Sequence, residues 1–181
     1  SIFADIDKIT RKDIIVLELS SFQLMTLRHS PNISVITNIS PNHLDYHRSF
    51  EEYVLAKANI FFKHGRNDIL VLNEDDKYTE KYLTILKDNK IQSKIRKFSI
   101  KSSVSNGVYF DNNEIVYKNN SDIIKICNLE DVKLVGMHNI ANICAAASAV
   151  IDMVSVKSIK DVVSTFNGVE HRMEFVKNIN G

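Results

Sequence analysis

The sequence predicts an α/β fold, a mostly parallel sheet flanked by helices with a small antiparallel β subregion. Three observations carry this. Residues 14–19, 33–39 and 68–72 are short, β-branched and almost continuously apolar, as strands buried on both faces of a parallel sheet must be. Segments of helical period lie between and after them. From about residue 95 to 135 the texture changes to short apolar runs separated by Asn-rich turns.

In chain order, residues 14–19 predict a first strand and 21–28 a helical crossover, with Pro31 punctuating the return to a second strand at 33–39. Ser49 followed three residues later by Glu52 is a capping-box pattern, and it opens a helix expected to run to about His64. A third strand is expected at 68–72, after which Asn73-Glu74-Asp75-Asp76 caps a helix ending near Asp88. The runs 97–100, 108–110, 115–117 and 123–126 predict a meander or hairpins, with Asp111-Asn112-Asn113 as the clearest turn. Residues 139–154 and 158–166 return to helix, and 172–176 predicts a final strand. There are no internal repeats and no low-complexity linkers.

The 181 residues include 44% hydrophobic residues, and 23 Lys and Arg stand against 22 Asp and Glu, which predicts a soluble globular chain with one good-sized core. A net charge of +1 with scattered cations argues against nucleic acid or an anionic membrane as a partner. The longest apolar stretches fall short of the roughly 20 residues needed to span a bilayer, and no signal sequence is present, so a cytoplasmic location without membrane insertion is expected. Cys127 and Cys144 lack CxxC spacing and are expected to be core thiols. The 5 glycines are too dispersed for a phosphate-cradling P-loop or a GxGxxG turn.

Three patches point to a metal-assisted site. Lys57 shares a helix face with Phe50, Tyr53 and Phe61. Burial there would lower its pKa, and a neutral amine reacts with carbon dioxide to give a carbamate able to bind Mg²⁺. The ordinary alternative, which helix position alone favours, is that its head snorkels into water or pairs with an acid. Glu18, flanked by Leu17 and Leu19 near the carboxyl end of the expected first strand, is compensated either by Mg²⁺ or by a cation such as Arg28 or Lys57. His43-x-Asp45-x-His47 lacks the further ligands of a tetrahedral zinc site, so His43 reads as a lone ligand or substrate contact, Asp45 as a cap, and His47 as a surface residue. Asn139 and Asn142 fall on one side of a helix and offer paired carboxamides to a purine edge, although taken alone Asn139 reads better as an N-cap. Arg172, beside His171, is either a phosphate clamp or a surface partner of Glu170 or Glu174.

Taken together, Val16-Leu17-Glu18-Leu19-Ser20-Ser21-Phe22-Gln23, Asn38 to Asp45, Tyr53 to Phe61, Gly136 to Asn142 and His171-Arg172-Met173-Glu174 resemble, in order and spacing, the Mur ligases of peptidoglycan synthesis. The Ser-Phe-Gln portion resembles the D-glutamate-adding branch. Asn42 departs from the acid the family commonly has there, and Asp45-Tyr46-His47 is also reminiscent of the diamino-acid-adding branch. The resemblance implies an ATP-dependent ligase joining D-glutamate to UDP-N-acetylmuramoyl-L-alanine through an acyl phosphate, acting as a monomer. It implies Glu18, His43 and an N6-carboxylated Lys57 as Mg²⁺ ligands, Asn139, Asn142 and His171 facing adenine, Arg172 on phosphate, and Ser20 toward the muramoyl substrate. It further implies that residues 1–181 are part of a central ATP-binding domain lacking its first strand and P-loop, with separate UDP-binding and amino-acid-binding domains elsewhere, and that the segment alone is inactive. Two alternatives stay open: a sister ligase, such as another Mur enzyme or a folylpolyglutamate synthase, and a non-catalytic nucleotide- or partner-binding module.

Overall fold

The structure is a computed structural model, described here for residues 6–40, 47–120 and 122–169. Six strands form one sheet in sequential order: β1 (Ile33–Ile36), β2 (Ile69–Asn73), β3 (Lys94–Ser99), β4 (Asn106–Asp111), β5 (Glu114–Asn119) and β6 (Asp122–Asn128). The helices are α1 (Ser21–Met25), α2 (Phe50–Ala58), α3 (Thr79–Asp88), α4 (Met137–Val150) and α5 (Val156–Thr165). β1 through β4 are parallel neighbours, and β4, β5 and β6 are antiparallel.

Two apolar layers sandwich the sheet. Leu70 and Leu72 pack with Val54, Phe61, Tyr82 and Leu86 of the α2 and α3 side, while Val71 packs on the opposite face with Ile140, Cys144 and Ala145 of α4. All three β2 residues are fully buried, so this run is continuously apolar because both its faces meet helices. Cys127 and Cys144 lie in the same core, where burial pushes their thiols up to about 11 and about 12.

The helices start where the sequence marks them. The Ser49 hydroxyl accepts from Glu52 N–H at 3.1 Å, and Ser155 caps α5 the same way through Ser158 N–H. Asn112 and Asn113 both take positive φ, 48° and 62°, which is the backbone of a two-residue type I′ hairpin between β4 and β5.

Several expectations are corrected. Residues 14–19 form no strand: no described strand pairs with them, and Val16 is 88% exposed. A strand of this composition needs a ladder and cover on both faces, and β1 on the described sheet pairs with β2 alone. α1 stops at Met25, and β1 stops at Ile36. α3 has no side-chain cap, because Asn73, Asp75 and Asp76 bind the neighbouring strand ends instead. β3 and β4 are parallel rather than a hairpin despite the short link 100–105. Gly107 makes this closeness possible: at φ 135°, a Cβ there would fall 1.8 Å from the Lys97 carbonyl oxygen. The expected strand at 172–176 lies outside the described residues.

Candidate active site

At the carboxyl ends of β1, β2 and β3, Asn73 to Asp76 form a turn whose side chains bind the backbone of both neighbouring strands. Asn73 Nδ2–H donates to Thr37 O at 2.8 Å, and Asp76 Oδ2 accepts from Ile39 N–H. Asp75 accepts from Ser99 Oγ–H at 2.7 Å and from Ile100 N–H at 2.8 Å. This turn walls a cleft of about 410 Å³ that also meets Asn38, Lys77, Lys101 and Ala141 of α4. Ligands of open α/β sheets sit at this end of the strands.

A second cluster lies where the chain enters α2. His47 is 4% exposed; its Nε2 is 2.9 Å from Ser21 Oγ, and its ring stacks on Phe22 at 5.5 Å and meets the edge of Tyr53 at 5.4 Å. The correction to the expected surface histidine has a plain cause: α1 and α2 pack together and the imidazole fills the joint between them. One helical turn beyond Tyr53, the Lys57 Nζ lies 5.3 Å from the centre of the Tyr53 ring. Burial holds this amine below the ordinary lysine range, and among the described residues no carboxylate pairs with it. Phe50 touches both Tyr53, at 5.8 Å, and Tyr78, at 5.0 Å, so a line of rings joins this cluster to the Asn73–Asp76 turn.

The other sequence-predicted residues fall as follows. Glu18 is exposed on the unpaired segment rather than buried on a strand, and it forms no ion pair among the described residues. Neither Arg28 nor Lys57 is its partner. Ser20 is the N-cap of α1 and closes a capping box, with Ser20 N–H donating to Gln23 Oε1 at 2.8 Å. Asn139 is not the N-cap, which is Gly136; it stands in the first turn of α4, where its Nδ2–H donates to Val135 O at 2.8 Å. Asn142 is exposed on the same side of α4, away from the face formed by Ile140, Cys144 and Ala147. His43, His171 and Arg172 lie outside the described residues. Among the described residues no group of three or more His, Cys, Asp or Glu side chains converges as a ready metal site. No described helix is long and apolar enough to cross a membrane.

Sequence reasoning missed two sets of residues. Asn73, Asp75 and Asp76 were readable only as a helix cap, although an Asn-x-Asp-Asp run directly after a fully buried strand marks the ligand end of the sheet. Ser21 and His47 carry no local signal, because their meeting depends on how α1 and α2 pack.

The Mur ligase middle domain family matches residues 2–150. The UDP-N-acetylmuramoylalanine–D-glutamate ligase of Clostridium kluyveri is 44% identical over 180 residues, 99% of this chain and 37% of that protein. The ligase of the same name from Clostridium botulinum strain 657 is 47% identical over the same share. This chain therefore spans a little over a third of the length of these relatives. Among solved structures, MurF from Acinetobacter baumannii superposes with a TM-score of 0.62 at 17% identity, over 83% of this chain and 32% of that one, a likeness of fold. With a matched profile over most of its length and the same parallel sheet, the chain belongs to the Mur ligase family as a middle domain.

Proposed function

We propose that this chain is part of the central, ATP-binding domain of a ligase that joins D-glutamate to UDP-N-acetylmuramoyl-L-alanine. The observation that carries the reading is identity of 44 to 47% across 99% of the chain with proteins bearing that ligase's name. The chemistry of Lys57 supports it. A half-buried amine on a ring face, with no paired carboxylate among the described residues, gives up its proton more readily than an exposed lysine, which favours carbamate formation. A carbamate there, the free Glu18 carboxylate and His43 make the oxygen-rich donor set that suits Mg²⁺.

In this reading the γ-phosphoryl group of ATP passes to the terminal carboxylate of UDP-N-acetylmuramoyl-L-alanine, giving an acyl phosphate and ADP. The amine of D-glutamate attacks the acyl carbon, and the tetrahedral adduct expels phosphate as the amide forms. Glu18, His43 and a carbamylated Lys57 would hold Mg²⁺, which would supply charge neutralisation for the transferring phosphoryl group. Asn139, Asn142 and His171 face adenine, Arg172 contacts phosphate, and Ser20 faces the muramoyl substrate. The P-loop, the uridine-nucleotide site and the amino-acid site come from other parts of the enzyme, which acts as a monomer in the cytoplasm.

The test is ADP release by the complete enzyme containing this chain, given ATP, Mg²⁺ and UDP-N-acetylmuramoyl-L-alanine, with D-glutamate compared against other amino acids. D-glutamate-dependent turnover that drops in Lys57→Ala and recovers with added short carboxylates is expected. Turnover with a different amino acid would assign a sister ligase, and none with any acceptor would favour a binding module.

A further inference from the structure

Two histidines among the described residues are buried, and they differ in one respect. His64 is bonded at both nitrogens, with Nε2 2.8 Å from Ser34 Oγ and Nδ1 2.9 Å from Ser93 Oγ. His47 is bonded only at Nε2, to Ser21, and its buried Nδ1 meets no partner among the described residues. An unmet buried polar atom costs about 1–3 kcal/mol. A phenylalanine would keep the contacts to Phe22 and Tyr53 without that cost, so packing alone does not account for an imidazole here.

What the imidazole adds is the bond to Ser21, and its location gives that bond a purpose. Ser21 stands three residues after Glu18, and Tyr53, against which the His47 ring rests, stands one helical turn before Lys57. Glu18 itself sits on a segment that no described strand pairs with. The Ser21–His47 bond thus fixes the end of that segment to the joint that carries Lys57.

We infer that His47, pinned by Ser21, is a positioning residue that sets the Glu18 segment against the Lys57 helix and thereby tunes the affinity of the site for a divalent cation. This rests on the function proposed above for Glu18 and Lys57. Residues that orient metal ligands from outside the coordination sphere typically contribute 10–100-fold in affinity.

The experiment uses the complete enzyme without substrates and reads Mn²⁺ binding by electron paramagnetic resonance, alongside the thermal midpoint. His47→Phe keeps the ring and removes the bond to Ser21; Ser21→Ala removes the same bond from the other side. Each should weaken Mn²⁺ binding about tenfold or more, with the midpoint close to wild type, and the double variant should be no weaker than the worse single one. His47→Gln, whose amide reaches the Nε2 position, should restore most of the affinity, whereas His47→Asn should not. Wild-type Mn²⁺ affinity in both His47→Phe and Ser21→Ala would overturn the inference and leave the ligase proposal standing. Mn²⁺ binding that follows the expected pattern in an enzyme that does not use D-glutamate would overturn the substrate assignment and support the positioning role. No Mn²⁺ binding by the wild type would overturn both.

Discussion

The Asp76 carboxylate accepts a hydrogen bond from the Ile39 backbone N–H at 2.5 Å, across 37 residues of sequence. The same side chain accepts from Tyr78 N–H through its other oxygen at 2.9 Å, so one residue fixes both the exit from β1 and the entry to α3. Hydrogen bonds to a charged acceptor contribute about 1.5–3 kcal/mol each. Asp76→Ala should therefore speed amide hydrogen exchange at Ile39 by at least about tenfold, while Asp76→Asn, which keeps one carbonyl acceptor, should lie between it and wild type. Unchanged exchange in Asp76→Ala would mean that the exit from β1 is held by other contacts.

The role proposed for Lys57 sets stability against activity. Burial depresses its pKa in the folded state, so between the folded value and the unfolded value of 10.5 the unfolded chain binds more protons, and stability rises with pH across that window. Below the window the protein carries the cost of a half-buried ammonium. Lys57→Met, which fills the same space without charge, should raise the thermal midpoint at pH 7 while lowering ligation by about 100-fold or more. A lowered midpoint would show that contact with Tyr53 outweighs desolvation. Removing dissolved carbon dioxide and bicarbonate should slow wild type and leave Lys57→Met unaffected.

His64 sets an acid limit. Burial lowers its pKa, against an opposing pull from Asp68, so its neutral form is the one the fold holds. Ser34 gives its proton to Ile60 O at 3.0 Å, leaving its oxygen to accept from Nε2–H, and the single Ser93 proton turns to Nδ1, at 2.9 Å, in preference to the more distant Asp68 O at 3.3 Å. For a histidine with a lowered folded pKa, its contribution is fully present above the unfolded value of about 6.5 and declines as pH falls through the window below it. The wild-type midpoint should fall more between pH 7.5 and 5 than that of His64→Gln, which should itself start lower at pH 7.5. Parallel pH curves for the two proteins would rule this out.

Gly107 tolerates no side chain. A Cβ would overlap the Lys97 carbonyl oxygen and φ 135° is strained for any other residue. Gly107→Ala should cost about 3 kcal/mol or more, read as loss of soluble protein or a large drop in thermal midpoint. Gly65→Ala, whose Cβ would only touch Asp68 Oδ2 at 3.7 Å, is the matched control and should behave nearly as wild type.

The nucleotide role proposed for α4 can be separated from folding. Asn142 is exposed and Asn139 bonds only a loop carbonyl, so Asn142→Ala should leave the midpoint unchanged while raising the KM for ATP about tenfold in the complete enzyme, the loss of one well-placed hydrogen bond. An unchanged KM would remove Asn142 from the adenine site.

What the sequence made legible follows from how local each cause is. β2 reads directly as a buried strand because its continuous apolar run is explained by cover on both faces. The Ser49 cap and the Asn112-Asn113 turn read directly because a few adjacent residues determine them. Residues 14–19 carry the same pattern as β2 yet form no strand, since a strand depends on neighbours that its own residues do not encode. The parallel pairing of β3 and β4 was hidden for a related reason: short links ordinarily make hairpins, and only the contact between Gly107 and Lys97 shows why this one does not. The partial burial of Lys57 beside Tyr53 was legible from its helix face, whereas the burial of His47 arises from packing between two helices.

The bare segment at 14–17 bears on how residues 1–181 behave when made by themselves. Ile14, Ile15, Val16 and Leu17 are all exposed there, in an unpaired, uncharged run of the kind that adheres to other unpaired strands. In recombinant production of this stretch alone it is the first place to put a charged gatekeeper against clumping.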